Sequence, residues 1–360
     1  MDEDQWRFYL SANLQTDDFT ITRLTGGFVN STIRVTLHNQ PTLPSSHPLH
    51  EALATMSSFV LKHAAPYIHA DPSNPVPVFR QTIEARALSH LATPPLSSIL
   101  KETNVAVPKL VWHDNSAHVL WMSDMGALPT LTNYFEGVPS WSPEEIGGRL
   151  GHALASLHSI CRNPSPTLIQ QFTYPDNNPF LESIAERARK AMHNTGHMDA
   201  TILSHRLGLW HNLEEAVWGM GDLWPGAVLL PLKSEDPLVL VDWEFACVLN
   251  PGAEVGMLLS HIAMHNVAGR EGCDAFADAF IASYTAVWGG ITRAFVREAM
   301  CAYGREMVTW YDYHGENYKD LLMEEGVAAL RVVGDSVTDM GELGPTARYM
   351  YLAPFVSMIK

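Results

Sequence analysis

The hydrophobic period of this chain changes once, near Gly126. Upstream, apolar and β-branched residues alternate with polar ones at the period of two that a half-buried strand needs. Downstream they return every three or four positions, as on a helix face. A strand-rich first third joined to a helix-rich remainder predicts an α+β fold of two lobes, residues 1–125 and 126–360, with a cleft between them. The 360 residues are long for one domain and natural for two.

Within the first third, "FTITRLTGGFVNSTIRVTL" reads as a hairpin about Gly26 and Gly27. The Pro/Ser-rich stretch "HNQPTLPSSHPLHEALATMS" reads as a surface loop. A third strand, "SSFVLKHA", carries Lys62, and "RQTIEARALSHLA" sets Ile83, Ala87 and Leu91 at helical spacing. Two more strands flank an Asp-Asn turn in "AVPKLVWHDNSAHVLWMSDMG". The helical part opens at Ser142-Pro143, a cap followed by proline in the first turn. Helices are expected through residue 215 and again from about Gly252. Between them lie the loop "GMGDLWPG" and a strand pair, "AVLLPL" and "LVLVDWEFA".

Composition narrows the functional classes. With 46% hydrophobic and 17% charged residues the chain can bury a sizeable core. A net charge of −16 disfavours nucleic acid and favours, if anything, a cationic, amine-bearing partner. Four dispersed cysteines without a CxxC pair argue against a zinc site or disulfide scaffold and suit a reducing compartment. "MDEDQWRFYL" lacks the basic start of a signal peptide, and no apolar run reaches the roughly 18 residues of a membrane span. The expectation is a soluble cytoplasmic protein. His261 and His265 in "HIAMH" read as a helix face rather than a zinc pair.

Several short motifs carry chemistry. Glycines in the hairpin would let backbone amides approach phosphate oxygens, although a plain tight turn explains them equally well. Lys62 is a compact cation that Glu84, on the following helix, could hold in place. Asp222 sits on a loop before a strand, where a carboxylate can take a proton from an attacking hydroxyl or orient it. Asp242 ends the apolar run "LVLVD", and Glu244 follows two positions later. In an extended segment both would point to the same side and offer two carboxylates to one magnesium ion.

In order, GGFVN, LK, the helix glutamate, MSDMG, GDLWPG and VDWE resemble the aminoglycoside phosphotransferase and choline kinase-like family, with methylthioribose kinases as relatives. The resemblance runs from Leu24 to about Gly334. It implies a bilobal protein-kinase-like fold, with a β-rich N-lobe for nucleotide phosphates and a mostly helical C-lobe for the acceptor. The implied activity is ATP- and Mg-dependent transfer to the hydroxyl of a small amine- or sugar-type metabolite, as in secondary metabolism. By position, Gly26, Gly27 and Asn30 would cover the phosphates. Lys62, paired with Glu84, would contact them, and Met122 to Asp124 would form the adenine-binding hinge. Asp222 would be the catalytic base, with Asp242 and Glu244 on the metal. The aromatic segment "MVTWYDYHGENY" reads as a helix lining the acceptor pocket. Trp310, Asp312 and Tyr313 there suit an ammonium group, or equally a core stripe.

Four positions depart from the family pattern. Met220 replaces a histidine, Leu249 a frequent glycine, and Glu254 an aspartate that steadies the catalytic loop. Ala227 replaces a metal-binding asparagine. Losing one preorganised electrostatic partner costs on the order of 10²–10³ in rate. Glu244 is available as a substitute ligand, as the methylthioribose kinases imply. The alternatives are a pseudokinase, or a kinase fold redirected to another reaction.

Overall fold

The computed structural model describes residues 1–25, 27, 29–137, 141–173, 178–197, 214–332 and 351–358. The chain divides into two compact units. The first comprises Met1–Thr93 and Val107–Ala127, the second Pro94–Ala106 and Leu128–Lys360.

The first unit is built on an antiparallel sheet of order β1-β2-β3-β8-β7. Its strands are Phe19–Arg23 (β1), Ser31–Leu37 (β2), Ser58–His63 (β3), Leu110–Asp114 (β7) and Val119–Ser123 (β8). A small pair, Tyr67–Ile68 (β4) and Asp71–Pro75 (β5), lies outside that sheet. Alternation decides the faces: Ile33, Val35, Leu37, Phe59 and Leu61 turn into one core with Trp121. That core is closed by helix α1, Glu3–Leu14, through Trp6, Tyr9, Leu10 and Leu14. The Trp121 indole N–H donates to the Tyr9 hydroxyl, which donates in turn to Asp114, at 3.0 Å each, so the buried polar atoms are paired. Lys62, one residue out of phase with Leu61, projects from the opposite face, toward helix α3, Arg80–Leu91.

The Pro/Ser-rich stretch is not simply a surface loop. It holds a short helix, α2, His50–Leu53, and buries Leu43, Leu49 and Leu53 in the same core. Those three leucines carry more weight than the prolines between them, since burying each side chain contributes about 1.5–3 kcal/mol.

The second unit is mostly helical. Its helices are α4 (Leu96–Glu102), α5 (Leu131–Phe135), α6 (Pro143–Ile160), α7 (Pro166–Gln171), α8 (Asn178–Asn194), α9 (Pro251–Val267), α10 (Cys273–Trp288), α11 (Arg293–Thr309), α12 (Lys319–Val332) and α13 (Ala353–Ser357). Ser142 caps α6 as the sequence implied, its hydroxyl accepting the Glu145 amide. Gly147 and Gly151 let α6 lie directly against the backbone of α10 at Phe276 and Phe280. A satellite core joins α8, α11 and α12 through Ala188, Met192, Val308, Met323, Val327 and Leu330.

Two short ribbons cross this unit. Val228–Leu229 (β10) pairs with Leu238–Leu240 (β11), which also takes Val105–Ala106 (β6) in parallel. Val217–Gly219 (β9) pairs with Cys247–Leu249 (β12). Among the described residues no helix is long and apolar enough to cross a membrane. The helical reading of residues 198–213 lies outside the described residues, as does the phosphate-covering reading of Gly26.

Candidate active site

In the first unit, Lys62 and Glu84 come together. The ammonium lies 2.7 Å from Oε2 of Glu84, and both side chains are buried. The Gln81 amide donates to the Lys62 carbonyl at 2.8 Å and to that of His118 at 2.7 Å, locking α3 to β3. Asn30 is buried, and its carboxamide oxygen accepts from Arg80 at 2.8 Å. Arg80 also donates to the carbonyls of Ala65, Val76 and Pro77, so Asn30 belongs to the scaffold under the hairpin. Gly27 is exposed, with open space where a side chain would stand.

Met122 lies in β8 and Asp124 just beyond its end. Met122 is a buried strand residue opposite Val60 and Leu110. Asp124 takes both Nε and Nη2 of Arg34, at 2.8 and 3.0 Å, and the Gly126 amide at 2.9 Å. Burial pushes the Asp124 carboxyl up, but the bonds from Arg34 and Gly126 outweigh it and hold it below the usual range. Its side chain is therefore spent on the fold, and only backbone groups remain for a hinge.

In the second unit, the loop carrying Asp222 and the turn carrying Asp242 and Glu244 are stitched together. β9 pairs with β12 and β10 with β11, and the Val241 amide donates to the Ala227 carbonyl at 3.0 Å. Gly221 is required here on two counts. Its φ is +78°, and a Cβ would stand 2.1 Å from the Phe245 carbonyl oxygen. Gly219 leaves room for the Glu254 carboxylate, which a side chain at that position would strike. Asp222 itself is half-buried, between buried Gly221 and Leu223.

Asp242 and Glu244 are not in an extended segment, which corrects the sequence reading. Asp242 is left-handed, at φ 71° and ψ 56°, and opens a 3-10 turn over Trp243–Phe245. The turn nonetheless brings carboxylate oxygens of the two residues within 4.8 Å of each other. Asp is among the few residues with a side chain that tolerate this conformation. Trp243, stacked on Trp218 at 5.7 Å with its N–H bonded to the Leu240 carbonyl, anchors the turn. Two hard oxygen donors, one buried and one half-buried, fit a magnesium ion that keeps waters and takes phosphate oxygens.

Two of the four departures, Glu254 and Leu249, have clear consequences. Glu254 is buried in α9; its Oε1 accepts the Gly221 amide at 2.6 Å and its Oε2 meets Nε2 of His158 at 2.6 Å. A glutamate therefore steadies the loop where an aspartate was expected. Leu249 is a core residue of β12, opposite Val217.

The aromatic segment is corrected too. Helix α11 ends at Thr309, and residues 310–314 form a turn beyond it. Tyr313 is exposed and Asp312 lies 3.9 Å from Arg187, whose guanidinium stands 4.6 Å from the Trp310 ring centroid. Sequence reasoning missed Glu306, a buried carboxylate one helical turn before Trp310. It accepts the Trp310 indole N–H at 3.0 Å and lies 3.7 Å from His261, whose ring faces Trp224 at 6.0 Å. Burial pushes Glu306 up, but the His261 hydrogen bond and the Arg305 charge hold it below the usual range, so it stays ionised. The signal was available: Glu306 and Trp310 are four apart on one face.

The model of the phosphotransferase enzyme family matches residues 20–299. The 4-hydroxytryptamine kinase of Psilocybe cyanescens is 28% identical over 269 residues, 70% of each chain. That of Psilocybe cubensis is 27% identical over 272 residues, again 70% of each. The stretches "RLTGGFVN", "DLWPG" and "DWE" also suggest the fungal 4-hydroxytryptamine kinases as relatives. Among solved structures, choline kinase from Cryptosporidium parvum superposes with a TM-score of 0.56 at 11% identity, covering 97% of this chain and 100% of its own. The GDP complex of aminoglycoside 2'-phosphotransferase-IIIa gives 0.53 at 12%, covering 92% and 98%. At such identities the likeness is one of fold: a β-rich N-terminal part followed by a helical one.

Proposed function

The chain belongs to the phosphotransferase enzyme family and is a small-molecule kinase, and from that premise we propose that it transfers the γ-phosphoryl group of magnesium–ATP to a hydroxyl of a small amine. The observation that carries this reading is the Asp242–Glu244 pair, held by a turn interlocked with the Asp222 loop. Asp242 and Glu244 would hold the ion, which neutralises phosphate charge during transfer. Lys62, fixed by Glu84, would contact the nucleotide phosphates, with Gly26, Gly27 and Asn30 shaping the hairpin above them. Backbone groups from Met122 to Asp124 would hold adenine. The acceptor oxygen bonds to γ-phosphorus as the bridging bond to ADP breaks, and Asp222 orients that hydroxyl and takes its proton.

The residue range 1–125 would thus serve the nucleotide and 126–360 the catalytic loop and acceptor. For the acceptor, Glu306, His261 and Trp224 would join Trp310, Asp312 and Tyr313. Arg187 already stands 4.6 Å over the Trp310 ring and 3.9 Å from Asp312, so an acceptor ammonium at those two residues would have to displace it. The relatives named for 4-hydroxytryptamine support a hydroxylated amine. No observation favours a pseudokinase or a redirected chemistry.

The test is phosphorus NMR of the protein with magnesium–ATP and each of 4-hydroxytryptamine, choline, ethanolamine and kanamycin. A new phosphomonoester signal with an amine-bearing acceptor, lost in Asp222→Ala, is expected. ATP left intact with every acceptor would refute the reading.

A further inference from the structure

Arg34 reaches across one strand to hold the segment that leaves the sheet after β8. Pairing sets Arg34 of β2 beside Val60 of β3 and Val60 beside Met122 of β8, so the three side chains share one face. Lys62, two residues beyond Val60, lies on that face too, about 7 Å further along β3. The guanidinium meets Asp124 side-on, Nε donating to Oδ2 at 2.8 Å and Nη2 to Oδ1 at 3.0 Å. The two side chains are only 19% and 9% exposed, so water screens this pair far less than it would a surface pair. Oδ1 also accepts the Gly126 amide at 2.9 Å, closing a turn at a glycine of φ 87°. On the other flank the Ser123 amide donates to the Lys109 carbonyl at 2.9 Å, and the Lys109 amide to Oγ of Ser123 at 2.8 Å. Residues 123–126 are thus tied at both ends. Between the ties, the peptide groups of Asp124 and Met125 have no backbone bond among the described residues.

We propose that Arg34 is a positioning residue for the nucleotide base: through Asp124 it fixes the backbone of residues 123–126 so that the segment accepts adenine and rejects guanine. Adenine presents an amino donor beside a ring acceptor. Guanine presents the reverse, a carbonyl beside a ring N–H. A backbone edge of fixed direction therefore suits one base and opposes the other, whereas a mobile segment could turn a peptide and take both. Arg34 completes the ordering before the base arrives, which is where the affinity comes from. Lysine cannot replace it, since one compact charge does not make two parallel bonds. The proposal rests on the reading of residues 122–124 as the adenine-binding hinge of an ATP-dependent enzyme.

Calorimetric titration with magnesium–ATP, magnesium–GTP and magnesium tripolyphosphate tests it without any acceptor. The wild-type protein is expected to bind ATP more tightly than GTP. Arg34→Gln should raise Kd for ATP about tenfold, leave Kd for tripolyphosphate unchanged and narrow the preference for ATP. Asp124→Asn should do the same, and the double variant should be no worse than either single one, because both act through one contact. Arg34→Lys, which keeps the charge and disturbs folding less, should still lose part of the base preference. A wild-type protein that binds ATP and GTP alike would overturn the proposal. So would a preference for ATP that survives in both Arg34 variants. An equal loss of ATP and tripolyphosphate would overturn it as well, since a brace that merely holds the unit together loosens both. If the wild-type protein binds neither nucleotide, the ATP reading itself fails and the proposal falls with it.

Discussion

Lys62 shows how one residue is fixed by its period. It lies in a strand whose odd positions, Phe59 and Leu61, face the core, so its own side chain leaves by the other face and meets Glu84 at 2.7 Å. Strand, helix and pairing were all legible, because alternation and helical spacing are local. The pair is buried, so removing one member strands the other: Glu84→Ala is expected to destabilise the fold by about 3–5 kcal/mol in denaturant unfolding, and Lys62→Ala to do similar damage. Glu84→Gln, which keeps the shape, should mainly raise KM for ATP. What was not legible at this scale was partnership across long separations. Nothing local in the sequence says that Asp124 is claimed by Arg34 or Asn30 by Arg80.

Turns and ends of elements account for most of the differences between sequence and structure. The extended reading of "VDWE" failed because φ > 0 at Asp242 turns the chain into a 3-10 helix, a choice that alternation cannot reveal. Helix α1 went unread although Asp2 and Gln5 form a capping box ahead of Trp6, Leu10 and Leu14, a signal that was present. α11 stops before the aromatic run, with the Trp310 amide bonded to the Glu306 carbonyl at the cap. The loop that carries Asp222 is the opposite case, since its glycines announce the turn. Gly221→Ala would have to displace the Phe245 carbonyl and adopt φ +78°. It is predicted to cost on the order of 1–3 kcal/mol and to remove turnover even where the protein stays folded. A calorimetric scan beside an activity assay checks both, and wild-type turnover in this variant would show that the loop geometry is not needed.

For the whole molecule, pH dependence follows from its buried imidazoles. Burial, aided by His314, His261 and Arg270, lowers His265 to about 3; burial, aided by Arg270 and His261, lowers His314 to about 4; burial likewise lowers His63 to about 4. These groups stay neutral in the folded state while the unfolded chain takes up protons below about 6.5. The folded state binds fewer protons, so their contribution is complete above pH 6.5 and declines as pH falls toward 4. Each contributes at most about 1.4 kcal/mol per pH unit, and less for the half-exposed rings. Urea unfolding at pH 7 and pH 5 should show the loss, and His265→Gln should reduce it. The central claim is that Asp242 and Glu244 together hold the magnesium that Ala227 cannot help to bind. Its most direct test is magnesium-dependent phosphoryl transfer, with the best acceptor of the panel, in Glu244→Gln and Ala227→Asn. The account predicts a fall on the order of 10²–10³ in kcat for Glu244→Gln and a change of only a few-fold for Ala227→Asn. Undiminished transfer in Glu244→Gln, with a large gain in Ala227→Asn, would contradict it.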